Sequence, residues 1–138
     1  MSPSALALIG YAAWTLFLIT WIVVLRTVYT LSGKRAANSF APWGEDVSPF
    51  SGRLCRAHAN CYENIALFAA LILLAMVTGH GDITDPLARW VLVARVAQST
   101  VHLISTSEIA VTLRVTFLLA QLGIEAYWIV QLGLLGFG

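Results

Sequence analysis

The chain has 138 residues, of which 59% are hydrophobic and only 11% charged, with a formal net charge of +1. Soluble domains carry about 25% charged residues, so a water-soluble globular protein is excluded, and the near-neutral balance offers no electrostatic footprint for nucleic acid. This length and composition define one domain with room for about four membrane spans of ~20 residues each.

The expected spans are set by where charge interrupts the apolar runs. The first is expected from about Ala5 to Tyr29, with Arg26 as its only charged side chain, and Trp14, Trp21 and Tyr29 suit lipid contact or interfacial anchoring. An apolar stretch this long, with no basic leader, reads as a retained helix rather than a cleaved signal. The second span is expected from about Arg56 to Thr78. The third follows Pro86, a favoured first-turn residue, and runs to about Ile104; the fourth covers roughly Ile109 to Leu135. Between the first two lies the only long loop, punctuated by Gly33, Pro42, Gly44, Pro49 and Gly52. It holds Lys34, Arg35 and Arg53 against Glu45 and Asp46, while the opposite side offers Asp82, Asp85 and Arg89. Positive-inside counting therefore puts this loop in the cytosol and both termini outside. The expected fold is all-α, an integral membrane four-helix bundle.

Three of the four spans carry a polar stripe. Arg56, Asn60 and Glu63 fall at i, i+4 and i+7; Arg95, Gln98 and His102 at i, i+3 and i+7; Arg114, Gln121 and Glu125 at i, i+7 and i+11. Each spacing puts its residues on one helical face. A carboxylate entering a bilayer costs ~2.5 kcal/mol or more, so Glu63 needs a partner or a water-filled site. Glu63 lies ~10 Å, and Arg95 ~14 Å, from the same cytosolic edge, which makes an Arg95–Glu63 ion pair the expected pairing. Arg114 has no acidic residue at its depth except Glu108. A planar guanidinium left free there suits an anion brought by a ligand.

Plainer readings stand beside these. Arg56 fits a positive-inside residue at a helix end, Glu63 with Arg95 a structural ion pair, Gln121 with Glu125 an inter-helix polar contact, and His58 an interfacial or capping group. Cys55 and Cys61 are placed on different sides of a helix near the cytosol, which favours neither a disulfide nor a metal site. A small exporter is expected to carry a carboxylate in its first span, and this chain has none there. Haem would need axial histidines at matching depths, whereas His58 and His102 lie near the same edge.

The run Arg53-Leu54-Cys55-Arg56-Ala57-His58-Ala59-Asn60-Cys61-Tyr62-Glu63-Asn64 resembles the signature of the MAPEG family, the membrane-associated proteins in eicosanoid and glutathione metabolism. That signature opens the family's second transmembrane helix with an Arg-Ala-His-x-Asn-x-x-Glu core. Ala94-Arg95-Val96-Ala97, and Arg114 followed by Leu119-Ala120-Gln121-Leu122, are similar to its third and fourth helices, so the resemblance covers essentially the whole chain. The likeness is to the microsomal glutathione transferase-like members. It implies a homotrimer that binds glutathione in a cleft between neighbouring subunits, open to the cytosol, while the lipid side delivers a small hydrophobic electrophile. Conjugation of glutathione, or reduction of lipid hydroperoxides, would follow.

Carried over residue by residue, the resemblance assigns Arg56, Asn60, Glu63 and Arg95 to the grip on the tripeptide, with Gln98 and His102 on the same third-helix face. Arg114 corresponds, within about a residue, to the arginine that stabilises the glutathione thiolate; Arg26 stands near a first-helix basic position at a poorer spacing. The chain departs from the better-known eicosanoid-pathway members at Ala59, Gln98, His102 and Phe117, so a specific prostaglandin or leukotriene synthase role is not implied. The alternative is a catalytically degenerate structural or regulatory membrane protein of the same fold. The short loops and retained first helix lead us to expect a bacterial inner membrane, with a eukaryotic endoplasmic membrane as the other setting.

Overall fold

Serine opens three of the four helices. In the computed structural model, which describes all 138 residues, the side chains of Ser2, Ser48 and Ser107 accept hydrogen bonds from the backbone N–H groups of Ala5, Ser51 and Ala110. Pro3 and Pro49 follow two of these caps directly, where a missing N–H costs nothing. The helices are α1 (Pro3–Leu31), α2 (Pro49–Val77), α3 (Gly81–Ile104) and α4 (Glu108–Phe137), with no strand. Each begins before the corresponding expected span.

The largest difference in starting point is in α2, which opens at Pro49, within the segment read as loop, and the next is in α3. Pro86 lies inside this helix rather than in its first turn. The cause is the tight closure of α2: Gly79, at φ 77°, donates to the Met76 carbonyl, and His80 donates to the Ala75 carbonyl. That left-handed cap turns the chain immediately, so a new helix starts at Gly81. The N-terminal ends of α1 and α3 are then tied together, since Asp85 Oδ1 accepts from the Ser4 N–H at 3.0 Å and the Ser4 and Thr84 hydroxyls meet at 2.8 Å.

In cross-section the helices form a rhombus. α2 and α3 each pack against all the others, whereas α1 and α4 stand at opposite corners with their backbones apart. The core between them holds Tyr11, Leu18, Leu54, Cys61, Phe68, Ile72, Val91 and Trp128. Phe68 stacks on Tyr11 with ring centroids 5.2 Å apart and meets Trp128 at 6.1 Å. Only 27 of the 138 residues are buried, and Leu16, Val24, Leu73, Val93 and Val130 stand outward among many other large apolar side chains. An outer surface of this kind is stable against lipid or a neighbouring subunit, not water.

Length and composition qualify α1, α2 and α4 to cross a membrane, but not α3. At 24 residues α3 is ~36 Å long, enough to span. What separates it is Asp82, Asp85, Arg89 and Arg95 along its length, and Thr84, Arg95, Gln98 and Ser99 point into the bundle. Hydropathy counts such side chains as though they met lipid.

Replacing Gly79 tests the cap that sets the start of α3. A side chain at φ 77° costs roughly 1–2 kcal/mol for most residues and less for Asn. Gly79→Ala should lower the thermal midpoint of the detergent-solubilised protein by several degrees, and Gly79→Asn by clearly less. Equal midpoints for all three proteins would show that the turn does not hold the α2–α3 hairpin.

Candidate functional site

The C-terminal ends of α1 and α3 and the N-terminal ends of α2 and α4 share one end of the bundle with the long α1–α2 loop. The loop is pinned by Arg35. Its guanidinium donates to the Asp46 carboxylate and the Asp46 carbonyl, both at 2.7 Å, and to the Ser39 carbonyl at 2.7 Å. Phe40 takes two cations on its ring, Arg26 and Arg35, each 5.5 Å from the centroid. Arg26 also reaches the Ala41 carbonyl at 3.1 Å and the Cys55 sulfur at 4.0 Å. Held this way, the loop delivers Glu45 to α2, where its carboxylate pairs with Arg56. Below them Arg53 donates through Nε to the Leu103 carbonyl at 2.9 Å, joining α2 to the end of α3.

Deeper in the bundle the two faces of α2 and α3 meet around Asn60. Arg95, only 2% exposed, donates from one terminal nitrogen to Asn60 Oδ1 at 2.9 Å and to the Asn60 carbonyl at 3.2 Å. The Arg95 guanidinium also lies 5.6 Å from the centre of the Tyr11 ring, and its Nε has no partner. Asn64 adds a second donor to Asn60 Oδ1 at 3.2 Å. The amide nitrogen of Asn60 faces His102 Nε2 at 3.2 Å, and on the other side of that ring Arg114 reaches Nδ1 at 2.7 Å. A continuous chain of polar contacts therefore runs from the buried Arg95 through Asn60 and His102 to Arg114, linking α3, α2 and α4.

Four of the expected site residues, Asn60, Arg95, His102 and Arg114, are thus brought together, and three are not. Gln98 is enclosed and accepts a 2.9 Å hydrogen bond from Gln121, so it holds α3 on α4. Arg56 stands at the loop, engaged by Glu45. Glu63 faces outward and makes no ion pair or hydrogen bond in the chain, so the expected Arg95–Glu63 pair is not formed. The rotation of α2 explains this. Residues three apart on a helix differ by about 60° in direction, and α2 turns Asn60 rather than Glu63 toward α3. The buried carboxylate within electrostatic reach of Arg95 is Glu125 of α4. Arg114, expected to be free, lacks a carboxylate partner but has the imidazole of His102.

Open spaces lie beside the long loop and the start of α2. A cavity of about 320 Å³ is lined by Glu45, Pro49, Gly52, Arg53, Arg56 and Thr106, and one of about 310 Å³ has Arg26, Trp43, Cys55, His58 and Tyr62 among its walls. His58 thus lines a cavity, with its ring 5.3 Å from that of Tyr62. Both cysteines are buried free thiols, and Cys61 Sγ lies 3.2 Å from the Ser99 hydroxyl. Tyr11 and Glu45 were not singled out from sequence, and no local pattern marks them; each acquires its partner only when distant segments pack.

An all-helical bundle with an apolar outer surface, spanning helices and a row of arginines converging on one end defines a multi-pass membrane protein. The chain belongs to the MAPEG family, whose model matches residues 4–134. Membership places it among the membrane proteins of glutathione or eicosanoid metabolism, a family whose members use glutathione as substrate or cofactor. No curated protein and no solved structure matches the chain.

The loop clamp is sensitive to acid. The Ala41 N–H bonded to the Asp46 carboxylate, followed by the nearby Arg35 charge, holds that group below its ordinary value of 3.8. A depressed folded-state value means that the clamp's stabilisation is present above pH 3.8 and is lost as the pH falls below it. Limited proteolysis of residues 32–48 should accelerate as the pH falls below about 3.8, using an acid-active protease, while Asp46→Asn should show fast cleavage with no such step. A step that survives Asp46→Asn would assign the acid sensitivity to another group.

Proposed function

We propose that this protein is a glutathione-dependent membrane enzyme that assembles as a homotrimer and conjugates glutathione to hydrophobic electrophiles or reduces lipid hydroperoxides. The observation that carries this reading is Arg114, a half-buried guanidinium with no carboxylate partner at the end of the bundle where the other arginines gather. A permanently charged planar donor in such a place is matched by an anion such as a thiolate or carboxylate.

The residues fit that ligand. Arg114, Asn60, Arg95 and His102 bring more N–H groups to the network than they have acceptors, and an anion supplies the missing acceptor. The bound tripeptide would contribute the sulfur nucleophile, whose free thiol titrates near 8.5 and is mostly protonated at neutral pH. Arg114 would favour the ionised sulfur, because a fixed positive charge in a poorly hydrated site stabilises the anion far more than water-screened charge does. Arg95 holds Asn60 in place from behind. Gln98, through Gln121, keeps α3 and α4 in register. Arg56 already accepts a carboxylate from Glu45, so its geometry suits one from a ligand.

Glu63 supports the subunit interface. It begins an outward stripe on α2 with Ala66, Ala70, Leu73 and Val77, all exposed, at the alternating spacing of three and four that packs helix against helix. A carboxylate on that stripe needs a counter-charge from outside its own chain, from the ligand or a neighbouring subunit. The long loop would face the cytosol, in a bacterial inner membrane, and the lipid-facing surface would admit the electrophile.

Arg114→Ala should lower conjugation turnover about 10²- to 10³-fold, the usual loss for a group that stabilises developing negative charge. Thiolate absorbance on glutathione titration should disappear, while cross-linking in detergent should still give the trimer. Loss of the trimer along with turnover would make Arg114 a packing residue. Absence of glutathione binding by the unsubstituted protein would leave a structural member of the family.

A further inference from the structure

His102 is held between two donors, and its chemistry allows only one of them to be satisfied. Arg114 can only donate, and it approaches Nδ1 at 2.7 Å. Nδ1 must therefore be the bare nitrogen, which puts the proton of the neutral ring on Nε2. Nε2 in turn faces the Asn60 side-chain nitrogen at 3.2 Å. The amide cannot be turned over to relieve this, because Asn60 Oδ1 accepts from both Arg95 at 2.9 Å and Asn64 at 3.2 Å. Two N–H groups thus confront each other across the ring, and the network lacks one acceptor.

We infer that His102 is a positioning residue that exchanges tautomers when an anion takes Arg114 from it. With the guanidinium engaged elsewhere, Nδ1 takes up a proton from water or from the arriving thiol as Nε2 gives one to water, so the proton count of the ring is unchanged. If the arriving ligand is a thiol that ionises, its own proton accounts for the one released. The Asn60 amide then donates to Nε2, and every contact along the chain points the same way, from Arg95 to Asn60 to His102 and on to the anion. Successive donors aligned in one direction strengthen one another, so the buried charge of Arg95 is conveyed to the ligand through two neutral groups. Before binding, the same ring occupies Arg114 and keeps its guanidinium at the site without neutralising it. This inference rests on the glutathione reading for the identity of the anion, but the competition between Arg114 and Asn60 for one ring does not.

The test is nitrogen NMR of the full-length protein labelled with ¹⁵N-histidine. The three histidines are His58, His80 and His102, and the His102 signals are assigned by their loss in His102→Gln. Without ligand, the unsubstituted protein should show His102 protonated on Nε2. Arg114→Met, also without ligand, should show it protonated on Nδ1, since Asn60 is then the sole donor. Saturation of the unsubstituted protein with glutathione, followed by thiolate absorbance, should produce the same exchange. A ring protonated on Nδ1 from the outset, or unchanged in Arg114→Met, overturns the inference. Saturable thiolate with His102 still protonated on Nε2 also overturns it and leaves the enzymatic reading intact. No glutathione binding, together with exchange in Arg114→Met, retains the competition and removes glutathione as the anion.

Discussion

A guanidinium enclosed among four hydrophobic helices is the constraint on which the rest of this molecule depends. Arg95 is 2% exposed, and a charge so enclosed persists only when donors, acceptors and counter-charge surround it. Asn60 from α2 supplies two acceptors and Tyr11 from α1 its ring face. One side chain on α3 thereby engages α2 through Asn60 and α1 through the Tyr11 ring, and sets how those two helices are turned to face it. Apolar packing alone specifies that rotation loosely, since one leucine-rich face substitutes readily for another. The same requirement orients the Asn60 amide, which in turn decides what His102 and Arg114 meet.

The candidate site divides into an inner and an outer set. Asn60, Arg95, His102 and Arg114 are assembled within one chain and joined by hydrogen bonds. Arg56 and Glu63 lie on other faces of α2, one engaged by the loop and the other by nothing in the chain. On the proposed trimeric reading, the inner set would carry the chemistry and the outer set would meet the neighbouring subunit. The loop clamp around Arg35, Phe40 and Asp46 matters here because it determines where Glu45 stands, and Glu45 determines whether Arg56 is occupied.

Much of the architecture was legible because charge in lipid is expensive, so interruptions in apolar sequence mark helix ends and periodic polar residues mark inward faces. That logic recovered the four helices, the inward polar groups of α3 and α4, Asn60 alone of the three polar groups expected on α2, and the run Arg56 to Asn64 that carries the family likeness. It misplaced the partner of Arg95. Spacing tells which residues share a face and depth tells which share a level, but neither fixes how far a helix is turned about its axis; Asn60 and Glu63 differ by only about 60°. It also treated Arg114 as free, because His102 reaches it across the short α3–α4 turn. Tyr11 and Glu45 were invisible for a different reason: a tyrosine in an apolar run and a glutamate in a loop carry no pattern until the chain folds back on them.

The rhombic arrangement has a mechanical consequence. Because the backbones of α1 and α4 stand apart, the α2–α3 pair across the short diagonal is the main connection between them. A tilt of α4, and of Arg114 with it, can be taken up at its own corner without dragging α1 or the loop that α1 anchors. The helix that bears the proposed sulfur-binding arginine and the helix that positions the outer mouth are therefore separate levers on a common fulcrum. A shift of one reaches the other only through the pair of helices between them.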